Sequence, residues 1–258
     1  MKNPKITTVI PTYNRPDLLA RAIKSVQLQE FEDWELIVFS DHCPKAHMVY
    51  ETYFKDDDRI LFIENPNEWV KNVGSIGVNY ALKNAKSNII TYLCDDNIFL
   101  PNHLNLIYNT INQYDNVDYV KTNAYHIHLG EGDGKIRELL ERGLINDINS
   151  YYNTSAPLGG NVTNCPSDML LLGHTIDKVV DSVGYWVPWN ESGNHNEDGD
   201  FMIELNRKFS ATSIPNYTAV YYSRRSALVR DEEYHSKVNS LTEDEIFVYP
   251  KLIKDFIN

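Results

Sequence analysis

Cysteine is scarce in this chain: Cys43, Cys94 and Cys165 are the only three in 258 residues. They have neither the even count nor the dense spacing of a disulfide framework, and no CxxC pair marks a zinc site. A reducing, cytoplasmic setting is therefore expected. Positive charge is also short, with 24 Lys and Arg against 36 Asp and Glu for a net charge of −12. That balance excludes a general nucleic-acid binder, which needs clustered cations to neutralise phosphates. A phosphate-bearing ligand must then be held locally, by a metal, a few basic side chains or backbone N–H groups. No apolar run approaches the roughly 20 residues needed to span a bilayer, so no transmembrane segment is expected. The N-terminus enters a strand-like run without a charged start and a small-residue cleavage site, which leaves the Asn-x-Ser/Thr triplets at Asn153, Asn161, Asn190 and Asn216 as chance matches. The sequence has no G-x-G-x-x-G, no G-x-x-x-x-G-K-S/T and no G-x-S-x-G, and "GSIG" at 74 to 77 is too short to stand for any of them. His42, His126, His128, His195 and His235 lack the spacing of zinc ligands.

Hydrophobic residues at 42% and charged residues at 23% are ordinary for a globular protein. The length suits one large α/β domain as well as two small ones, and one is expected. In the first half, strand-like and helix-like segments alternate. "KITTVIPTY" is a β-branched run, and the following "RPDLLARAIKSVQLQ" places Leu18, Leu19, Ala22, Ile23 and Val26 on one helical face. "WELIVFSD", "RILFIEN" and "NIITYLCDD" read as further strands. "HMVYETYF", "VGSIGVNYALKNA" and "PNHLNLIYNTINQY" read as helices, the second with Ile76, Tyr80 and Ala81 toward a sheet. Four β-then-α units imply right-handed crossovers and a mostly parallel central sheet flanked by helices. Ligands bind such sheets beyond the carboxyl ends of the strands, where "PTYN", "SDHC" and "CDDN" should converge.

The second half is less regular. "VDYVKTNAYHIHL" is strand-like, "GEGDGK" at 130 to 135 is a turn, and residues 145 to 165 form a long polar loop of functional length. "TIDKVVDSVG" reads as a helix closed by Gly184, "NEDGDFMIELNRKF" as another, "TAVYYS" as a late strand, and the tail from Arg230 as one or two docking helices.

Asp95 and Asp96 raise a specific question, because adjacent carboxylates at the end of a buried strand repel unless something compensates them. They are either an exposed turn or a site for Mg²⁺ or Mn²⁺, which take oxygen ligands from one or two carboxylates and ligand phosphates. On an extended strand the two would point opposite ways and divide the work. Glu197, Asp198 and Asp200 gather at a helix start, where acids stabilise the macrodipole, and where one could also serve as a general base. Asp41 follows a strand and suits either a helix cap or contact with a base or ribose. Trp186 and Trp189 offer faces for a sugar or for packing.

"TTVIPTYNRPDLLARAIKSVQLQEFEDWELIVFSD", "YLCDDNIFLPNHL" and "NEDGDFMIEL", in that order and spacing, resemble the SpsA-like family 2 glycosyltransferases over residues 5 to about 210. The resemblance implies a GT-A (Rossmann-like) α/β fold, a nucleotide-diphosphate sugar donor, a Mn²⁺ or Mg²⁺ ion and inversion at the anomeric carbon. It places Pro11, Thr12, Tyr13 and Arg15 on the nucleotide-sugar side and Asp41 on the base. It also implies Asp95 near the ribose or sugar, Asp96 as metal ligand, and Asp198 as general base with Glu197 beside it. Lys71 and Asn72 fall where a donor-side polar contact is expected. Many members carry three acidic residues in the D-x-D run, whereas here Cys94 leads and Asn97 trails. Metal is therefore expected to bind weakly alone and more tightly with nucleotide. The organisation implied is one domain, with a donor half at 1 to 115, an acceptor half at 116 to 225 and a helical tail at 226 to 258. The expected reaction is sugar transfer from a UDP- or dTDP-type donor to a hydroxyl of a glycan or other acceptor. Two other classes stay open. A sugar nucleotidyltransferase would need a Gly- and Arg/Lys-rich phosphate loop that "PTYNRP" lacks, and a non-catalytic nucleotide- or sugar-binding module would not need a base.

Overall fold

The computed structural model describes residues 3–67, 74–114, 116–129, 169–187 and 197–224. The turn expected at 130 to 135, the loop at 145 to 165 and the tail lie outside them. The chain begins β1 (Ile6–Thr12), α1 (Pro16–Gln27), β2 (Trp34–Ser40), α2 (Pro44–Tyr53), β3 (Ile60–Glu64), α3 (Ser75–Asn84) and β4 (Ile89–Tyr92). It continues with β5 (Ile98–Phe99), α4 (His103–Gln113), β6 (Tyr119–Leu129), a 3₁₀ turn (Met169–Leu171), β7 (Leu172–Thr175), α5 (Ile176–Val183), α6 (Glu197–Lys208) and β8 (Thr212–Arg224).

The eight strands of the described residues join one sheet in the order β3-β2-β1-β4-β7-β6-β8-β5. β3, β2, β1 and β4 are parallel, as the β-then-α alternation predicts. Beyond β4 the sheet is mixed: β7 is antiparallel to β4 and β6, and β8 is parallel to β6 but antiparallel to β5. Antiparallel neighbours need no crossover helix, so the pattern that announces the parallel half has no counterpart there.

Side-chain alternation along the central strands feeds two cores. Ile6, Ile10, Leu36 and Val38 meet α1, α2 and α4 on one face, through Leu19, Ile23, Val26, Ala46, Val49, Leu104 and Ile107. Val9, Ile37, Ile90 and Tyr92 meet α3, α5 and α6 on the other, through Val78, Ala81, Leu82, Val179, Phe201 and Leu205. Each large aliphatic side chain fully buried this way contributes about 1.5–3 kcal/mol. All five residues expected on the inner face of α1 are buried. The face of α3 is rotated from the expected one: Ile76 and Tyr80 are partly exposed, and Ser75, Gly77, Val78, Ala81 and Leu82 are buried. Gly77 explains the rotation, since a Cβ there would stand 2.9 Å from the Cβ of Phe39 and hold the helix off β2.

The sequence pattern marks neither β5 nor β7. β7 is buried along its whole length and interrupted by Gly173, where a Cβ would come within 2.4 Å of Ile107 Cγ2 on α4. β8 starts six residues before the expected strand and runs through Pro215, with the pairing shifting register on either side of Asn123. Asn123 Nδ2 donates to the Pro215 carbonyl at 2.9 Å, so the irregularity accommodates the proline. No helix of the described residues is long and apolar enough to cross a membrane.

Candidate active site

The chain leaves β4 and reverses at once. The Asn97 N–H donates to the Cys94 carbonyl at 3.0 Å, closing a turn whose central residues are Asp95 and Asp96. β5 then fixes the far side of the turn by pairing Ile98 and Phe99 with Val220 and Ala219 of β8. The carboxylates therefore do not diverge as they would on an extended strand. Both reach one cation: Arg15 Nη1 donates to Asp95 Oδ1 at 2.8 Å and to Asp96 Oδ2 at 3.1 Å. Thr12 Oγ1 donates to Asp95 Oδ2 at 2.9 Å, so both oxygens of Asp95 are engaged. Asp95 is only 4% exposed, unlike an ordinary surface turn residue.

Arg21 completes the arrangement. It is buried on α1, and its Nη2 donates to the Asp96 carbonyl at 2.6 Å, which fixes the turn's backbone. The sequence reading did not single it out. A signal was present, because Arg21 lies at helical spacing between Leu18 and Ser25, both buried.

The next wall follows β1 and β2. The Asp41 N–H donates to the Thr12 carbonyl at 2.9 Å, and Asp41 Oδ1 accepts from Asn65 Nδ2 at 2.7 Å. Asn65, buried at the end of β3, donates its own N–H to the Ser40 carbonyl at 2.8 Å. Asp41 is not a helix cap, since α2 has Cys43 at its N-cap and no side-chain cap bond. Asn65 is a further residue the sequence reading passed over, although it ends a strand at the same crevice. Three left-handed backbone positions surround this wall, Asn14 (φ 56°), His42 (φ 58°) and Gly74 (φ 104°). Gly74 is required twice over, since a Cβ there would also lie 3.0 Å from Pro11 Cγ. Tyr13, beside Pro11 and Thr12, is half exposed.

Glu197 and Asp198 open α6. Glu197 is buried, whereas Asp198 is exposed and its Oδ1 accepts the Gly199 N–H at 2.7 Å. The helix is anchored to the β4 end by an aromatic cluster. Phe201 stands 5.5 Å from the Trp186 ring and 5.9 Å from His174, and Tyr92 stands 5.6 Å from each of those two. Phe201 is three residues past Asp198, and Tyr92 three before Asp95. Trp186 is thus a packing residue. His174 Nε2 accepts from the Tyr92 hydroxyl at 2.7 Å while its Nδ1 donates to the Thr175 carbonyl at 2.8 Å. Burial pushes this imidazole down to about 4, so it is neutral at pH 7. Lys71, Asn72, Trp189 and His195 lie outside the described residues.

A divalent cation fits the donor chemistry at the turn, which is all oxygen. It fits only if the ligand brings oxygens too. Among the described residues no three His, Cys, Asp or Glu side chains gather to hold a metal, and Asp95 is already committed to Thr12 and Arg15.

The chain is similar to several known proteins. The chain is 36% identical over 111 residues to the GalNAc(5)-diNAcBac-PP-undecaprenol beta-1,3-glucosyltransferase of Campylobacter jejuni, covering 43% of this chain and 35% of that protein. It is 36% identical over 107 residues to the putative colanic acid biosynthesis glycosyl transferase WcaA of Escherichia coli, covering 40% and 37%. The match thus spans little more than a third of those relatives' length. Among solved structures, TarS of S. aureus in complex with UDP-GlcNAc superposes with a TM-score of 0.62 at 15% identity, covering 98% of this chain and 72% of that one. The mannosyltransferase PcManGT of Pyrobaculum calidifontis, in complex with GDP-Man and Mn²⁺, gives a TM-score of 0.59 at 12% identity, covering 100% and 70%. These two likenesses are of fold, and the fold is GT-A. The family model for glycosyl transferase family 2 matches residues 7–179, and the chain belongs to that family.

Proposed function

We propose that this chain transfers a sugar from a nucleotide-diphosphate donor, UDP- or dTDP-linked, to a hydroxyl of a glycan or other acceptor, with inversion at the anomeric carbon. The observation that carries this reading is the convergence of Thr12, Arg15, Asp95 and Asp96 at the ends of β1 and β4, beside the Asp41 and Asn65 wall. That crevice lies where parallel α/β sheets bind nucleotides.

Asp41, held in one orientation by Asn65, bonds the donor's base, and the exposed ring of Tyr13 stacks on it. Asp95, oriented by Thr12, contacts ribose or sugar hydroxyls. Lys71 and Asn72 add polar contacts on the donor side. Asp96 is the protein's ligand for Mn²⁺ or Mg²⁺, and such an ion, when bound, offsets charge on the departing diphosphate. Asp198 accepts the proton of the attacking acceptor hydroxyl, and the buried Glu197 supports it from the same helix turn. Binding positions the acceptor oxygen opposite the leaving group, and electrostatic stabilisation then supplies much of the rate. Residues 1 to 115 form the donor half and 116 to 225 the acceptor half of one domain. The small, odd number of cysteines supports a reducing, cytoplasmic setting.

Titration calorimetry with UDP, dTDP, GDP and CMP, each with and without Mn²⁺, tests the donor site. The expected result is Mn²⁺-dependent binding of one diphosphate, abolished by Asp96→Ala. Failure of all four to bind would overturn the donor-site reading.

A further inference from the structure

We propose that Arg15 is a positioning residue that holds the place of the metal: its guanidinium occupies Asp96 until a donor diphosphate draws it away and releases that carboxylate to the cation. The inference rests on the donor-site reading above. It starts from one atom. Arg15 Nη1 is shared between Asp95 Oδ1 at 2.8 Å and Asp96 Oδ2 at 3.1 Å, so the positive charge that makes the acidic pair tolerable comes from the protein itself. A divalent cation ligated by Asp96 competes for the same oxygen. Two positive groups held together against one carboxylate repel each other, so cation and guanidinium do not share Asp96 at full strength.

The surroundings confine the adjustment to Arg15's side chain. Its backbone is committed, since its carbonyl accepts the Leu19 N–H at 2.9 Å as the N-cap of α1. The Asp96 backbone is held by the buried Arg21 at 2.6 Å, and Asp95 keeps its Thr12 bond at 2.9 Å. The side chain of Arg15 is 27% exposed, against 5% for Asp95 and 19% for Asp96, so it is the member of the trio with most access to solvent. Arg15 also begins the first helix after β1, beside the crevice where a diphosphate would enter. The planar guanidinium fork pairs bidentately with phosphate oxygens as it does with carboxylates, so moving there exchanges one anion for another without leaving the cation unpaired. Asp96 is released as Arg15 goes to the diphosphate. Donor and cation therefore bind with positive coupling, and the coupling passes through Arg15.

Calorimetry and thermal melting of Arg15→Gln separate this from a merely structural role. Mn²⁺ alone should bind the variant about tenfold more tightly than wild type, the nucleoside diphosphate alone should bind more weakly, and Mn²⁺ should promote diphosphate binding less than in wild type. Mn²⁺ without nucleotide should also raise the variant's Tm more than that of wild type, because the acidic pair that has lost its arginine regains a counter-ion. Should Arg15→Gln not fold, Arg15→Lys carries the same test with smaller changes, since lysine keeps the charge but loses the fork. Unchanged Mn²⁺ affinity, or unchanged metal–diphosphate coupling, in a variant that still binds diphosphate would overturn the role of Arg15 and leave the donor site standing. Absence of diphosphate binding in wild type would instead remove the donor-site reading, and this inference with it.

Discussion

Asp95 and Asp96 in the turn after β4, and Glu197 and Asp198 at the start of α6, each set two carboxylates side by side at the edge of a secondary element. In the turn, the first carboxylate is buried and bound by Thr12 and Arg15 while the second shares the same arginine nitrogen. At the helix, successive side chains point about 100° apart, which follows from 3.6 residues per turn, and the pair is divided into a buried Glu197 and an exposed Asp198. Turn geometry gathers the charges onto a common cation, whereas helix geometry separates them. The first arrangement suits a ligand that replaces a counter-ion, and the second suits a carboxylate left accessible to take a proton. Each also rests on a buried neutral histidine. His103 stacks on Phe99, just after the turn, at 3.6 Å between centroids, and His174 lies 5.9 Å from Phe201 in the helix.

Substitution can break this contrast in opposite directions. Asp198→Asn should lower turnover, read as release of nucleoside diphosphate, by about two to four orders of magnitude, while leaving diphosphate affinity near wild type. Its stability should move by no more than about 0.5 kcal/mol, because the residue is exposed and Asn can still accept the Gly199 N–H. An equal loss in diphosphate binding would contradict the assignment of the base. Asp95→Asn should do the reverse to stability. Asn removes the negative charge that accepts from Arg15 and obliges the Thr12 hydroxyl to accept where it had donated, costing roughly 1–3 kcal/mol in denaturant unfolding. A stability as insensitive as that of Asp198→Asn would mean that the turn's bonds carry little weight.

A more gradual change comes from pH. Burial pushes His103 down to about 3 and His174 to about 4, from an ordinary value of 6.5. In the unfolded chain both take up a proton near 6.5 that the folded protein does not bind, so the unfolded state gains protons first. Stability is therefore full above that range and is lost as pH falls toward 4 for His174 and 3 for His103. Between pH 7 and 6 the loss should be roughly half to one kcal/mol per histidine, above the range where ordinary carboxylates titrate. Urea midpoints that stay level from pH 7 to 5 would contradict this.

The legible part of the fold was the part with a strong period. α1 buries the five residues its spacing marks, and β1 to β4 appear where β-branched runs end in turn residues. For α3 the period predicts a face about one residue out of rotation, because a glycine, Gly77, is what packs on Phe39, and apolar periodicity gives weight to large side chains only. β5 has two residues and β7 four, too few to show a period, and Pro215 disguised the start of β8. Within the candidate site, the acidic residues were visible as exceptions to an apolar pattern. Asn65 and Arg21 were not, since a strand-end Asn and a helical Arg are unremarkable until their partners are known.

By itself the sequence determined the parallel half of the sheet and which strand ends face one crevice, because hydrophobic period and turn residues act over a few positions. The tertiary structure alone decided which carboxylate is buried and what neutralises it. Thr12 and Arg15 lie 83 and 80 residues from Asp95 along the chain, and no local pattern links groups that meet only when β1 and β4 pair.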